Sequence, residues 1–199
     1  MVEIKVIARN NPFRVDRVQT VRYRLPFSRD HLYLRLESLN YRAAIVGPEG
    51  SGKTTLLYDI FRQLRGAGIR VYMLRMHADD QFLTKRETKA LFRSLEQDCL
   101  VFFDGADHLT SSLWKLVLRE SGRLRGLIIT SHQPGLLPTL IETETTPELL
   151  QGIVRDLLGS ETDFTEQEAQ RLFSACSGNI RDALRLLYDN FAEGSGVVG

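Results

Sequence analysis

Residues 47–54 read Gly-Pro-Glu-Gly-Ser-Gly-Lys-Thr, a spacing suited to holding the phosphates of a nucleoside triphosphate. Gly47, Gly50 and Gly52 let the backbone wrap an anion without Cβ clashes, so its N–H groups point inward. Pro48, Glu49 and Ser51 fill the positions between them. Lys53 brings a compact positive charge to the β- and γ-phosphates, and Thr54 offers a hydroxyl to Mg2+. Thr55 continues into a helix whose positive N-terminal end faces the same anion, so the expected nucleotide-binding set runs from 47 to 55. A second group, Asp-Gly-Ala-Asp, stands at 104–107. Asp104 follows four apolar residues, where a strand-end acid beside a phosphate loop holds Mg2+. Asp107 has two readings: it orients or deprotonates the attacking water, or it caps the next helix.

These residues need elements to position them. The apolar runs at 43–46, 69–73, 100–103 and 127–130 suit buried strands, and 139–143 suits a fifth. Between them lie helical patterns. Leu57, Ile60, Phe61 and Leu64 form one apolar face, and Leu91, Phe92 and Leu95 form another behind a capping box at Thr84 and Glu87. Leu113, Trp114, Leu116 and Val117 follow a cap at Thr110 or Ser111. Ser28 or Asp30 is placed to cap a helix over 31–39. Residues 2–8 read as an edge strand or an arm, and 11–13 as a turn.

From Thr146 the pattern is purely helical, with starts at Thr146-Pro147, at a Thr165 capping box and at Asn179. Strands alternating with helices imply an α/β fold with a parallel sheet flanked by helices, which with the loop at 47–54 is the expectation for a P-loop NTPase, and the strandless end implies a small C-terminal three-helix lid. The expected divisions are a basic N-terminal segment at 1–42, a nucleotide-binding core at 43–145, the lid at 146–192 and a disordered tail at 193–199.

The 199 residues are 43% apolar and 26% charged, the balance of one globular domain or a domain with a small appendage. Cys99 and Cys176 are isolated and suggest neither a disulfide framework nor a zinc site, which points to the cytoplasm. The N-terminus lacks the layout of a signal peptide, and no apolar run approaches a membrane span. Net charge is +1 but uneven: residues 1–42 carry +5 and residues 142–199 carry −7. Arg9, Arg14, Arg17, Arg22 and Arg24 interleave with Phe13 and Tyr23, as a patch for a nucleic acid or another anionic partner, as a solvated edge, or as an intramolecular match to the acidic tail.

The phosphate loop, Asp104 to Asp107 and the polar strand end Thr130-Ser131-His132 together resemble the additional-strand P-loop ATPases. The Asp-Gly-Ala-Asp spacing is similar to the STAND and NACHT type, and Gly178-Asn179-Ile180-Arg181-Asp182 is similar to the sensor-2 pattern of AAA+ and replication-initiator ATPases. The resemblance implies ATP and Mg2+ as cofactors, Thr54 and Asp104 as metal ligands, Thr130 or Ser131 as the sensor-1 hydroxyl and Arg181 as a γ-phosphate contact. It also implies that Asn11-Pro12-Phe13 covers the adenine. His132 follows its strand as the switch histidine of ABC ATPases does, but no serine-glycine signature accompanies it.

One departure stands out. Between Ser131 and Gln151 there is no Arg or Lys, so the usual arginine-finger position is empty and the oligomeric state stays open. The reading that results is an ATP-binding, ATP-hydrolysing AAA+/STAND-like switch acting on a protein or nucleic-acid partner, with no membrane. The alternatives are a non-hydrolysing nucleotide-dependent regulator and a small-molecule or nucleotide kinase. A GTPase lacks support, because no guanine-reading motif follows a strand.

Overall fold

The computed structural model describes residues 11–18, 21, 23–76, 84–159 and 162–193. The arm at 2–8, Arg9, Arg22 and the tail at 194–199 lie outside them. The chain forms two compact units, one of Tyr23–Gly47 and Gly52–Thr143, the other of Met1–Arg22, Pro48–Ser51 and Glu144–Gly199.

The first unit is built on five parallel strands: β1 (Arg42–Val46), β2 (Val71–Arg75), β3 (Leu100–Asp104), β4 (Gly126–Ser131) and β5 (Thr139–Glu142). Their order is β2-β3-β4-β1-β5, so β1 sits between two strands that come much later in the chain. The apolar runs are continuous because both faces are buried. Ala43, Ile45, Leu100, Phe102 and Ile128 pack on one face, whereas Ala44, Val46, Val101, Phe103, Leu127 and Ile129 pack on the other.

Helix α1 (Val15–Val18) precedes this unit in the chain, and α2 (Arg29–Ser38) opens it, capped by Ser28 rather than Asp30. Leu32 and Leu36 of α2 join Leu56, Leu57, Ile60 and Leu64 of α3 (Lys53–Gly66) on the first face. Phe92 of α4 (Lys85–Ser94) and Trp114 and Val117 of α5 (Ser111–Ser121) cover the second. The capping box at Thr84 and the cap at Thr110 form as expected. Strand β2 starts two residues later than its apolar run, because its register is set by β3, with Val71 opposite Leu100 and Arg75 opposite Asp104.

The second unit contains α6 (Pro147–Leu158), α7 (Glu166–Ala175) and α8 (Ile180–Ala192), capped by Thr146, Thr165 and Asn179 as their sequences predict. Leu150, Val154, Phe164, Ala169, Ile180, Ala183 and Leu187 make its core. Asn11 and Phe13 belong to that core as well. The Asn11 amide donates to Tyr188 O at 2.8 Å, its oxygen accepts from Phe13 N, and Phe13 meets Phe191 edge to face. The Asn-Pro-Phe turn is therefore a buried brace of the helices, and both its polar and its aromatic group are committed there. No helix among the described residues is long and apolar enough to cross a membrane.

Candidate nucleotide-binding site

In a parallel sheet, ligand sites form beyond the carboxyl ends of the strands. The chemistry-bearing residues of the first unit gather there. Register places Val46 opposite Ser131 and Arg75 opposite Asp104, so the strand ends that lead to the phosphate loop, the acid and the polar pair lie along one edge.

The loop is shaped by its glycines. Gly50 has φ +75, and a Cβ there would stand 2.2 Å from Asn179 Oδ1, so no other residue fits without a shift. Gly52, also left-handed, leads into Lys53 at the first position of α3. Lys53 is 8% exposed, with Nζ 2.7 Å from Gly47 O. Ser51 turns its hydroxyl onto Pro48 O at 2.7 Å, closing the tip of the loop on itself. Arg181, in the same unit as that tip, lies 3.7 Å from Glu49, both side chains being about two-thirds exposed. A pair so exposed adds little stability.

Asp104 is the hub. It is 7% exposed, and the Thr54 hydroxyl donates to its two oxygens at 3.0 Å. The Thr130 hydroxyl donates to Oδ1 at 2.7 Å while accepting from Gly105 N at 2.8 Å. Arg75 donates from Nε to Oδ2 at 3.2 Å and lies over the Tyr58 ring. A hydroxyl and a carboxylate brought together at the head of a phosphate loop are the oxygen donors that Mg2+ prefers. Thr130 acts through Asp104, fixing its rotamer. Ser131 is committed elsewhere, donating to Gln133 O at 2.6 Å. Arg75 is the participant that the sequence did not reveal. It lies just past the apolar run expected for β2, and only the register with β3 brings it to Asp104.

Gly105 stands where many ATPases carry a catalytic glutamate, and the structure gives the reason. Its φ is +82, and a Cβ would come 2.3 Å from Met76 O. We expect Gly105→Glu to lower stability by about 2 kcal/mol or more, since a left-handed non-glycine costs ~1–3 kcal/mol before the clash is counted. Chemical denaturation measures this, and a fully stable variant would contradict the geometry.

Asp107 does not cap α5; Thr110 does. Asp107 instead faces His132. Its Oδ2 accepts from His132 N at 3.0 Å and meets His132 Nδ1 at 2.6 Å. Oδ1 is buried and meets no donor from another described residue. Burial works to raise the Asp107 pKa, but the backbone N–H, ring and charge of His132 outweigh it, so the carboxyl sits below its usual range. Asp107 is therefore ionised at neutral pH. The stability this adds is present at neutral pH and is lost as pH falls through the lowered value.

Residues 43–133, which hold the loop, Asp104, Asp107, Thr130, Ser131 and His132, match the family model "ATPase family associated with various cellular activities (AAA)". The fold is that of the AAA-type P-loop ATPases. Replication factor C subunit 3 of Blastobotrys adeninivorans is 27% identical over 73% of this chain and 49% of its own length. The RuvB Holliday junction branch migration motor of Thermotoga maritima superposes with TM-score 0.54 at 20% identity, covering 81% of this chain and 59% of that one. A structure titled DNA replication initiation factor gives TM-score 0.55 at 17% identity, over 83% and 61% of the two chains. The chain thus spans about half the length of the curated relative and about three-fifths of these structures.

Proposed function

We propose that this chain binds ATP with Mg2+ and hydrolyses it, as a nucleotide-driven switch acting on a protein or nucleic-acid partner. The observation that carries this reading is the Asp104 constellation. Thr54, Thr130 and Arg75 converge on one buried carboxylate at the strand edge that leads to the phosphate loop. The partner class rests on the names of its relatives, a replication factor, a branch migration motor and a replication initiation factor. The Asp-Gly-Ala-Asp spacing supports the STAND-type variant of the site.

The proposed roles are as follows. Lys53 and the N–H groups of the loop take the β- and γ-phosphates. When bound, Mg2+ neutralises developing charge on the phosphates, and Thr54 and Asp104 are the residues that would hold it. Asp107 orients the attacking water through Oδ1, the oxygen that His132 leaves uncommitted. Thr130 holds Asp104, and Arg181 contributes a planar cation for the γ-phosphate.

Asp107→Asn tests the water-orienting role. An asparagine oxygen still accepts from His132 N, so the fold should hold and ATP affinity should stay within about twofold. Steady-state hydrolysis should fall by ~100-fold or more, the scale of a lost general base. Wild-type turnover in that variant removes Asp107 from the reaction.

A further inference from the structure

Two histidines and a carboxylate meet at the same end of the sheet, and the hydrolysis reading uses only one of the three directly. We propose that Asp107, His108 and His132 form a transition-metal site that takes Zn2+. Their ligand atoms all lie within 4.8 Å of one another. The His108 and His132 rings stand edge to face, with centroids 5.9 Å apart. Zinc binds imidazole nitrogen and carboxylate oxygen at about 2.0–2.2 Å, which sets neighbouring donors ~3.4 Å apart in a tetrahedral shell. Asp107 and His132, at 2.6 Å, need to open slightly, and His108 needs to close by a side-chain rotation. The fourth position is left to water, because all three residues are partly exposed.

The donors sit on fixed supports. Asp107 and His108 are in the single 3-10 turn Ala106–His108 that follows β3. That turn is pinned on one side by Gly105 N donating to Thr130 Oγ1 and on the other by Met76 N donating to Asp104 O. His132 follows β4 directly and is held by its own N–H to Asp107. Asp107 Oδ1, buried and without a donor from another described residue, is an oxygen that a cation would satisfy. The donor set selects against Mg2+, which takes oxygen ligands, and favours the borderline metals that imidazole suits. The cysteines gave no hint of such a site, because its ligands come from the ends of two adjacent strands.

Binding is tested apart from nucleotide. Zn2+ alone is titrated into Mg2+-free, ATP-free protein and followed by calorimetry, with Co2+ as a visible-absorbing substitute. One tight equivalent is expected, with the intense Co2+ bands of a four-coordinate site. His108→Ala and His132→Ala should each weaken it by at least ~10-fold, since even losing a group behind a ligand costs 10–100-fold. His31→Ala, outside the cluster, should leave it unchanged. Circular dichroism confirms folding, and wild-type Co2+ spectra stand independently of any variant. Failure of the wild type to bind, octahedral Co2+ spectra, or unchanged affinity in folded His108→Ala and His132→Ala overturns the site.

A consequence for turnover rests on the hydrolysis reading. Zinc on Asp107 removes the group that holds the water, so wild-type hydrolysis should slow with Zn2+ while His108→Ala stays resistant. Equal inhibition of both breaks that link but leaves the binding result standing. Zinc binding without any ATPase activity defeats the hydrolysis reading alone.

Discussion

Lys53→Ala will lose ATP binding and keep its fold. Lys53 sits in the first turn of α3, where a cation opposes the helix dipole and costs about 0.3–1 kcal/mol. It is also almost fully buried, which is expensive for an ammonium group. A residue that works against its own helix at a buried position is kept for something that is not the fold. On the ATP-binding reading the phosphate oxygens accept charge-assisted hydrogen bonds from Lys53, each contributing about 1.5–3 kcal/mol. Losing two such bonds lowers ATP affinity by at least ~100-fold. The flanking structure does not depend on Lys53: β1 is paired on both sides, and Leu56, Leu57 and Ile60 anchor α3. Thermal unfolding beside calorimetric ATP titration gives both readouts. A folded variant with wild-type affinity would move the nucleotide site elsewhere.

Asp104→Asn will bind nucleotide but fail to use Mg2+. The asparagine oxygen can accept from Thr130 and its amide can donate to Thr54, so the hydrogen bonds are largely replaced. What disappears is the negative charge and the acceptor for Arg75 Nε. Arg75 loses its ion-pair partner, yet its side chain is 43% exposed and its guanidinium lies over the Tyr58 ring, so stability changes by less than about 1 kcal/mol. Turnover falls by at least ~100-fold, or ~2.7 kcal/mol of transition-state stabilisation, the scale of one preorganised electrostatic contact. The half-saturating Mg2+ concentration rises with it. Hydrolysis that responds to Mg2+ as the wild type does would show that Asp104 serves the strand end and not the metal.

The strand–loop–helix layout around residues 47–54 and the strand-end position of Asp104 were legible because they are local. Three glycines within six residues shape the loop, and one strand places one acid. The caps at Thr84, Thr146, Thr165 and Asn179 were legible for the same reason. What escaped was set by pairing between distant segments. Arg75 reads as the charged residue that ends an apolar run, and only β3 gives it a partner. The sequence left Asp107 divided between a cap and a base, because the cap depends on three residues and the base on His132, 25 positions away. Asn-Pro-Phe has a structural part that the motif alone does not show. Its asparagine bonds to Tyr188, 177 residues further along the chain, and its phenylalanine joins the core of the helical unit and meets Phe191, equally distant in sequence.

The strand order also governs how the molecule is made. The phosphate loop hangs from β1, the first strand of the sheet to leave the ribosome. Yet among the described residues β1 bonds only to β4 and β5, and Arg42 waits for Leu127. Strands β2 and β3, which follow next, pair with each other and leave β1 with nothing to hold. Long-range parallel pairing of this kind is slow to form. A nascent chain stopped near residue 120 already has every glycine of the loop, its lysine and Asp104, but no strand to join β1 to the β2–β3 pair. The sheet is therefore continuous only once β4 has been made and stands between β3 and β1, and on the ATP-binding reading proposed above a ribosome-bound fragment is expected to capture nucleotide only after that strand has emerged.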